Sequence, residues 1–339
     1  MSQLKVTKPG LSSVQDAGRF GLQRYGLAPA GAMDLRSLEI GNQLIGNAPH
    51  TAAIEVAPLP FTVRSLRGGF RFAMTGADRS VHIEGQSAAM NATHWVEEGK
   101  ILRFGGCRHG VFSYLCFQGG IKAVPQYKSF SVDKNAGLGR PYSRPLSEGD
   151  LLDVNDAPQN FVEQSISPTD NVQTNGPIRV ILGPQDDHFF PESIATFLQT
   201  RWRIAHASDR MSYKLDGPRI AHSRGYNIVS DGTVRGSVQI TGSGQPLVLL
   251  ADRGTVGGYP KIATISSLDL DRFSQLAAGT AFSFKLISVQ ESQRLLRLRA
   301  KSSALRIAKR DDPARCNVDL SKVINANVAG DAVSAVDPL

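Results

Sequence analysis

The stretch from Leu249 to Ile265, LLADRGTVGGYPKIATI, holds the densest concentration of reactive side chains in the sequence. An apolar run, Leu247 to Leu250, ends at Asp252. A loop with Gly254, Gly257 and Gly258 follows, then Tyr259-Pro260-Lys261, then a second β-type run. Glycine admits positive φ and lets a backbone approach a ligand or another chain closely. A carboxylate (Asp252), a hydroxyl (Thr255), a phenol (Tyr259) and an ammonium (Lys261) around such a turn would orient a polar ligand. A Gly-rich hairpin with polar decoration is the competing reading. Asp252 and Lys261 are the leading candidates because they flank the loop.

Further polar candidates lie elsewhere. The second half adds Asp209, Arg210, Tyr213, Gln239 and Gln245; the first half adds Gln15, Asp16, Arg19, Asp34 and Asp78. Each has a plainer reading. Asp209-Arg210 could be surface charge, and Gln15-Asp16 before Gly18 could be turn chemistry. Tyr213 and Tyr259 could pack with their hydroxyls satisfied.

Several mechanisms lack their residues. No G-x-x-x-x-G-K-[ST] phosphate loop and no G-x-S-x-G nucleophile elbow occurs. The seven histidines are scattered without metal-ligand spacing, and Cys107 with His109 is a weak zinc signal, so no metal site is expected. The three cysteines, at 107, 116 and 316, cannot all pair, which favours a reducing compartment. MSQLKVTKPG has no apolar core of signal-peptide type and no run reaches membrane-span length. The expectation is a cytoplasmic protein with no membrane partner. The net charge of +8 resides mostly in residues 292–315, where eight basic residues face two acidic ones. No aromatic residue is interleaved there, which argues against nucleic acid. A solvated basic helix with a frayed extension is expected.

The elements that must position these residues are mostly strands. Gly99, Gly149 and Gly279 each precede apolar pairs three and five positions on, namely Leu102/Phe104, Leu152/Val154 and Phe282/Phe284. A turn glycine followed by period-two alternation is a strand entering a half-buried sheet. Helices are few: one over Leu35 to Ile45 capped by Asp34 and closed by Gly46-Asn47, one opened by Pro191, and a short one from Asp269 to Leu276. The polar, proline-containing stretch 155–177 reads as a linker region. The divisions expected are a first β unit over 1–160, a linker over 161–177, a second β unit over 178–291, and a basic helix with tail over 292–339.

The loop, together with PGLSSVQDAGRFGLQRYGLAPAGAMD (Pro9 to Asp34), TGAD (Thr75 to Asp78), SDRMSYKL (Ser208 to Leu215), GTVRGSVQI (Gly232 to Ile240) and GQPLVLLAD (Gly244 to Asp252), resembles one family in order over residues 4 to 290. It is the 5-oxoprolinase C-subunit family, also called allophanate hydrolase subunit 2 or biotin-dependent carboxyltransferase-like, which supplies half of the carboxyltransferase region of urea carboxylase. The resemblance implies a mostly β fold of two linked cyclophilin-like β-barrel units with a few short helices. It implies a heteromeric, ATP-dependent enzyme, inactive as a lone chain, that opens 5-oxoproline to glutamate. Its partners would be a B-type family chain and a lactam-utilisation subunit, with ATP and Mg shared with a partner.

For an amide or lactam, donors must meet the carbonyl oxygen as it gains charge and acceptors must meet the N–H. Lys261 or Arg210 would do the first, Asp209 or Asp252 the second, and a lysine also steadies a phosphate or carboxyphosphate. Carboxyl transfer from biotin to urea or a related amide is the second reading. This chain has no AMKM-type biotin segment, so biotin would come on another chain. A third is a non-catalytic partner of a histidine-kinase inhibitor. The sequence departs from the family pattern at Ser212, at Arg253-Gly254 and over Asp133 to Tyr142, departures that would mark a changed substrate.

Overall fold

The computed structural model describes residues 2–156, 162–166, 176–302 and 308–309. The three turn glycines act as their spacing implies. Gly99, Gly149 and Gly279 have φ of 81°, 90° and 81°, and each leads into a strand: Ile101–Phe117, Leu151–Val154 and Ala281–Leu286. The apolar pair on each strand is buried. Alternation fixes which face meets the core, because a one-residue slip would turn every one of those side chains to water.

The first 154 residues form a nine-stranded antiparallel sheet that curls into a half-barrel. Its main path runs Ser12–Gln15, Ala53–Val56, Ile101–Phe117, Phe61–Arg67, Ser2–Lys8, Leu151–Val154. The long strand Phe70–Ile83 pairs with Ile101–Phe117 and shifts register at Gly76/Asp78, Asp78/Arg79 and Arg79/Val81. Such bulges bend and twist a strand, so the sheet wraps around its own core. Phe61, Phe70, Phe72, Phe104 and Phe117 fill that core.

The second unit is a closed seven-stranded barrel, ordered Ile178–Leu182, Lys261–Ile265, Ser237–Ile240, Pro246–Leu249, Ser212–Asp216, Arg201–Ile204, Ala281–Leu286. Closure comes from the parallel pairing of the first and last of these. The expected mostly β, two-unit architecture is therefore what the chain adopts, with only the second unit closed. Along the polar stretch 155–177, Ser165 bridges Ala92 and Ile166 is buried, while residues 157–161 and 167–175 lie outside the described residues.

Helix α1 (Leu35–Leu44) starts at Asp34, whose carboxylate accepts from the Ser37 amide, and Gly46 follows with φ 72°. Helix α2 (Pro191–Gln199) opens on proline and lays Phe197 against Phe284, ring centroids 4.6 Å apart. Helix α3 (Leu270–Ser274) buries Phe273. Helix α4 (Val289–Ser302) carries the basic run and docks through Ser292, buried against Ser266 at 2.8 Å. The Arg299 guanidinium donates to the Leu268 carbonyl. Apart from Ala308–Lys309, the tail past Ser302 lies outside the described residues. No helix among them is long and apolar enough to cross a membrane.

The two units meet along a mixed seam. Met33, Leu38, Val111 and Phe112 of the first unit join Tyr213 and Phe273 of the second in one apolar cluster. Gln275 spans the seam: its Oε1 accepts from the Val111 and Phe112 amides, and its Nε2 donates to Phe112 O and to Asp34 Oδ2. Asp271 Oδ1 accepts from the Leu35 amide at 3.0 Å. Buried polar groups paired across a seam fix the relative placement of the units, because an unmade bond there costs about 1–3 kcal/mol.

Candidate functional site

The polar centre of the seam is Arg210. It stands just before the strand Ser212–Asp216, in a turn closed by Asp209, whose Oδ1 accepts from the Met211 and Ser212 amides. The Ser212 departure thus sits inside this turn. Arg210 Nε and Nη2 each donate to Asp252 at 2.8 Å. Nη2 also reaches the Gly31 carbonyl, and Nη1 bonds Glu55 Oε1. Burial alone would depress the guanidinium, but Asp252 and Glu55 outweigh it and hold its pKa above the ordinary value.

Glu55 is the residue that sequence reasoning missed. It is buried in the strand Ala53–Val56, and its Oε2 accepts from the Met33 amide and the Tyr114 hydroxyl, both at 2.7 Å. Tyr114 accepts in turn from the Asp34 amide. A carboxylate within the apolar run A-I-E-V was the available signal, since charged residues are almost never fully buried unless paired.

A groove of about 580 Å³ opens beside this cluster. Its apolar walls include Val111, Phe112, Val132, Ile204 and Leu276, and its polar lining includes Glu55, Asp209, Arg210 and Asp252. Gln15 and Tyr213 also line it. Gln15 Nε2 is held by Ser13 Oγ and Val132 O, and the Tyr213 hydroxyl donates to Ser274 O at 2.8 Å. The atypical Asp133 to Tyr142 segment contributes Lys134 and Asn135. Apolar walls with a few convergent polar groups suit a small polar ligand. Among the described residues Asp209 Oδ2 takes no hydrogen bond, which leaves an acceptor.

The glycine loop has two separate ends. Asp252 belongs to the seam groove; Lys261 does not line it. Lys261 is the first residue of the strand Lys261–Ile265 rather than a loop lysine, and its side chain is only 4% exposed. Its ammonium donates to Asp231 Oδ2 at 2.9 Å. The same carboxylate, half-exposed, receives Gln185 Nε2, and Lys261 with Gln185 pulls its pKa down.

The loop glycines do not supply positive φ: Gly254, Gly257 and Gly258 are all absent from that region. Gly257 lets the Gln239 side chain lie close against its backbone instead: a Cβ there would lie 2.5 Å from Gln239 Nε2, and the amide end of Gln239 would have to move. Gln239 Nε2 donates to the Tyr259 carbonyl, and Gly257 pairs with Asp231. Gln239, Gly257 and Tyr259 therefore gather at the Lys261 end. Thr255 holds Thr233 through its backbone carbonyl, and the Gly258 carbonyl holds the Ile228 amide. Gln245 bonds Leu215 O and is placed at neither end.

Of the remaining first-half candidates, Asp16 and Arg19 sit in one loop cluster, and Asp34 and Asp78 both line a second, larger cavity of about 1280 Å³. Asp16 accepts from Gly18 N, Ser129 Oγ, Ser131 Oγ and Phe130 N. Arg19, fully buried, donates to Ser131 O and Gln126 O in the same loop cluster. Asp34 caps α1 beneath the seam. Asp78 pairs with Arg108 at 2.8 Å, both well exposed. Among the described residues no group of three or more histidine, cysteine or carboxylate side chains could hold a metal ion.

Comparison with known proteins gives a consistent picture. A family profile described as carboxyltransferase domain, subdomain A and B, matches residues 25–286. The C subunit of 5-oxoprolinase from Haemophilus influenzae is 33% identical over 286 residues, covering 84% of this chain and 91% of that protein. Its namesake from Escherichia coli is 31% identical, covering 85% and 93%. The crystal structure of the K. lactis urea amidolyase superposes with a TM-score of 0.81 at 27% identity, over 88% of this chain and 20% of that one.

Proposed function

The chain belongs to the carboxyltransferase-domain family, subdomains A and B, and from that premise we propose that it is the substrate-binding subunit of a cytoplasmic, heteromeric 5-oxoprolinase-type enzyme. The single observation that supports this most is the seam groove, where apolar walls meet the Arg210–Glu55–Asp252 cluster. A lactam ring packs on Val111, Phe112 and Leu276, and its N–H donates to Asp209 or Asp252. Arg210 is engaged by Glu55, Asp252 and Gly31. It therefore holds the carboxylates in place rather than clamping a ligand.

The lactam is a poor electrophile, and ATP with Mg2+, shared with a partner chain, supplies its activation. The sequence has no phosphate loop, and among the described residues no group of three or more histidine, cysteine or carboxylate side chains could hold a metal ion. What this chain contributes is binding, orientation and exclusion of water, which lower a barrier by fixing geometry in advance. Lys261 lies outside the seam groove, paired with Asp231 at the other end of the glycine loop, where it is a donor for a negatively charged group presented there.

The partners in this reading are a B-type family chain and a lactam-utilisation subunit. The test is reconstitution. With ATP, magnesium and 5-oxoproline, the purified chain releases no phosphate above background, and activity appears when both other subunits are added. Robust phosphate release by this chain alone refutes the reading. The carboxyltransferase alternative is favoured by the urea amidolyase superposition. It takes over if the mixture is silent with 5-oxoproline but carboxylates urea when a biotinylated carrier is supplied.

A further inference from the structure

The seam holds a second cavity, of about 1280 Å³ against about 580 Å³ for the groove. Pro58, Leu276 and Ala277 line both, so one ridge divides them. The first unit contributes a bulged pair of strands. Phe70–Ile83 and Ile101–Phe117 shift register between Gly76 and Arg79, and Gly110 turns with φ 85° against Gln275. A bulge re-aims the side chains around it, and Asp78, Arg108 and His109 line the cavity there. The barrel contributes Arg201 and Ser283, Cα partners on adjacent antiparallel strands.

Four basic side chains, Arg108, His109, Arg201 and Arg272, line this space against two carboxyls, Asp34 and Asp78. Arg108 is held by Asp78 in a two-pronged contact, and Arg272 by Asp269 and the Gly176 and Pro177 carbonyls. The Asp34 carboxylate is buried and bonded by Ser37 and Gln275. Among the described residues the side chains of Arg201 and His109 make no hydrogen bond or ion pair, and the Thr280 and Ser283 hydroxyls in the same lining are equally uncommitted. Directly opposite residues of an antiparallel pair project from one face with Cβ atoms about 4.5–5.5 Å apart, so the Arg201 guanidinium and the Ser283 hydroxyl form one donor cluster. His109 stands in the same relation to Asp78 on the other unit. A guanidinium fork with hydroxyl donors beside it matches phosphate oxygens. Ile178, Leu276 and Phe282 add apolar surface for a ring.

We propose that this second cavity receives the phosphate chain of a nucleoside triphosphate, with Arg201 and Ser283 contributed by the barrel and His109 by the curled sheet. The choice of a nucleotide rests on the ATP-dependent reading above; a phosphate-accepting cavity beside the groove does not. The shared ridge sets the two ligands side by side without competition for one pocket. Arg201 and His109 are both exposed, so a partner chain closing over them completes the enclosure. The donors are side chains from two units, which is why no phosphate-loop motif announces them.

The experiment measures binding rather than turnover, by calorimetric titration of this chain alone and of the assembled complex. The probes are MgATP, inorganic triphosphate, adenosine and 5-oxoproline. The variants are Arg201→Gln and His109→Gln; both residues are exposed and unpaired, so the melting temperature is expected to match the parent's. The expected dissociation constant for MgATP, and for triphosphate, is at least about tenfold higher in Arg201→Gln and raised to a smaller degree in His109→Gln. Neither substitution alters adenosine or 5-oxoproline binding. MgATP binding to the complex that neither substitution weakens overturns the site, leaves the lactam reading intact and moves the nucleotide to a partner. A melting loss of many degrees in both variants also overturns it, because the two side chains would then be structural. Triphosphate binding that both substitutions weaken, with MgATP bound no more tightly than triphosphate, overturns the nucleotide as occupant. MgATP binding weakened in both variants, with no binding of 5-oxoproline by the parent, keeps the site and overturns the lactam reading.

Discussion

Arg210 lies on Asp252 in a two-pronged contact, Nε to Oδ2 and Nη2 to Oδ1, while its third nitrogen takes Glu55 from the other unit. One guanidinium thus joins the curled sheet to the barrel at the rim of the groove. The pairing is between residues 155 positions apart in the chain, and the carboxylate side chains are 3% and 16% exposed.

Removing that cation leaves two largely buried carboxylates facing each other. Arg210→Ala is expected to destabilise the chain by about 3–5 kcal/mol, the scale of breaking a buried pair from one side. Denaturant unfolding measures this. A loss below ~1 kcal/mol would show that water reaches the cluster freely.

Asp34 gives the seam a pH dependence. Burial first and Asp271 second raise its carboxyl from 3.8 to about 6, against the opposing bonds from Gln275 and Ser37. A carboxyl raised in the folded state binds more protons there than in the unfolded chain. Its contribution is therefore fully present below pH 3.8 and is lost as pH rises through about 6. The scale is on the order of 3 kcal/mol. Asp34→Asn keeps an oxygen for the Ser37 amide and abolishes this titration. The stability difference, variant minus parent, should grow between pH 4 and roughly pH 7; a flat difference in melting temperature over that range sinks the assignment.

Much of the fold was legible because its signals are local. Gly99, Gly149 and Gly279 announce strands through turn geometry and alternation, and Asp34 and Pro191 announce helices through capping chemistry. The site was less legible because its decisive pairings are long-range. Asp252 and Arg210 were both visible as candidates, yet nothing near either names the other. Glu55 was hidden inside a strand, and Asp231, which receives Lys261, lies 30 positions away from it in the chain. The loop glycines invited a positive-φ reading, whereas none of the three has one, and Gly257 instead lets Gln239 lie against its backbone. Flanking a loop in sequence did not place Asp252 and Lys261 together in space.

Helix α4 and the tail beyond it should separate in truncation. Ending the chain after Ser302 retains the Ser292–Ser266 and Arg299–Leu268 contacts and removes only the two-residue pairing of Ala308–Lys309 with Gln164–Ser165, so the melting temperature is expected to stay within a few degrees of the parent. Ending it after Ser288 removes both contacts and exposes Ser266, so a clear drop is expected. Equal melting of all three chains would mean that α4 adds nothing to the barrel. A large drop on ending the chain after Ser302 would show that the pairing of Ala308–Lys309 with Gln164–Ser165 anchors the tail.

Lys261 tests the other end of the glycine loop. Its stem is buried and its ammonium meets a single carboxylate, the half-exposed Asp231. A pair with one wet partner contributes little to stability, whereas a buried donor held on a strand is well set to stabilise developing negative charge. Lys261→Met keeps the length and the apolar stem while deleting the charge. Turnover by the assembled complex is expected to fall at least about 100-fold, the scale of losing one preorganised electrostatic donor, with the melting temperature of this chain little changed. Asp231→Asn, which keeps an acceptor for the ammonium but removes its counter-charge, should cost much less. Near-normal turnover in Lys261→Met with unchanged melting would remove Lys261 from the chemistry. A collapse of melting would make it a structural residue of the barrel.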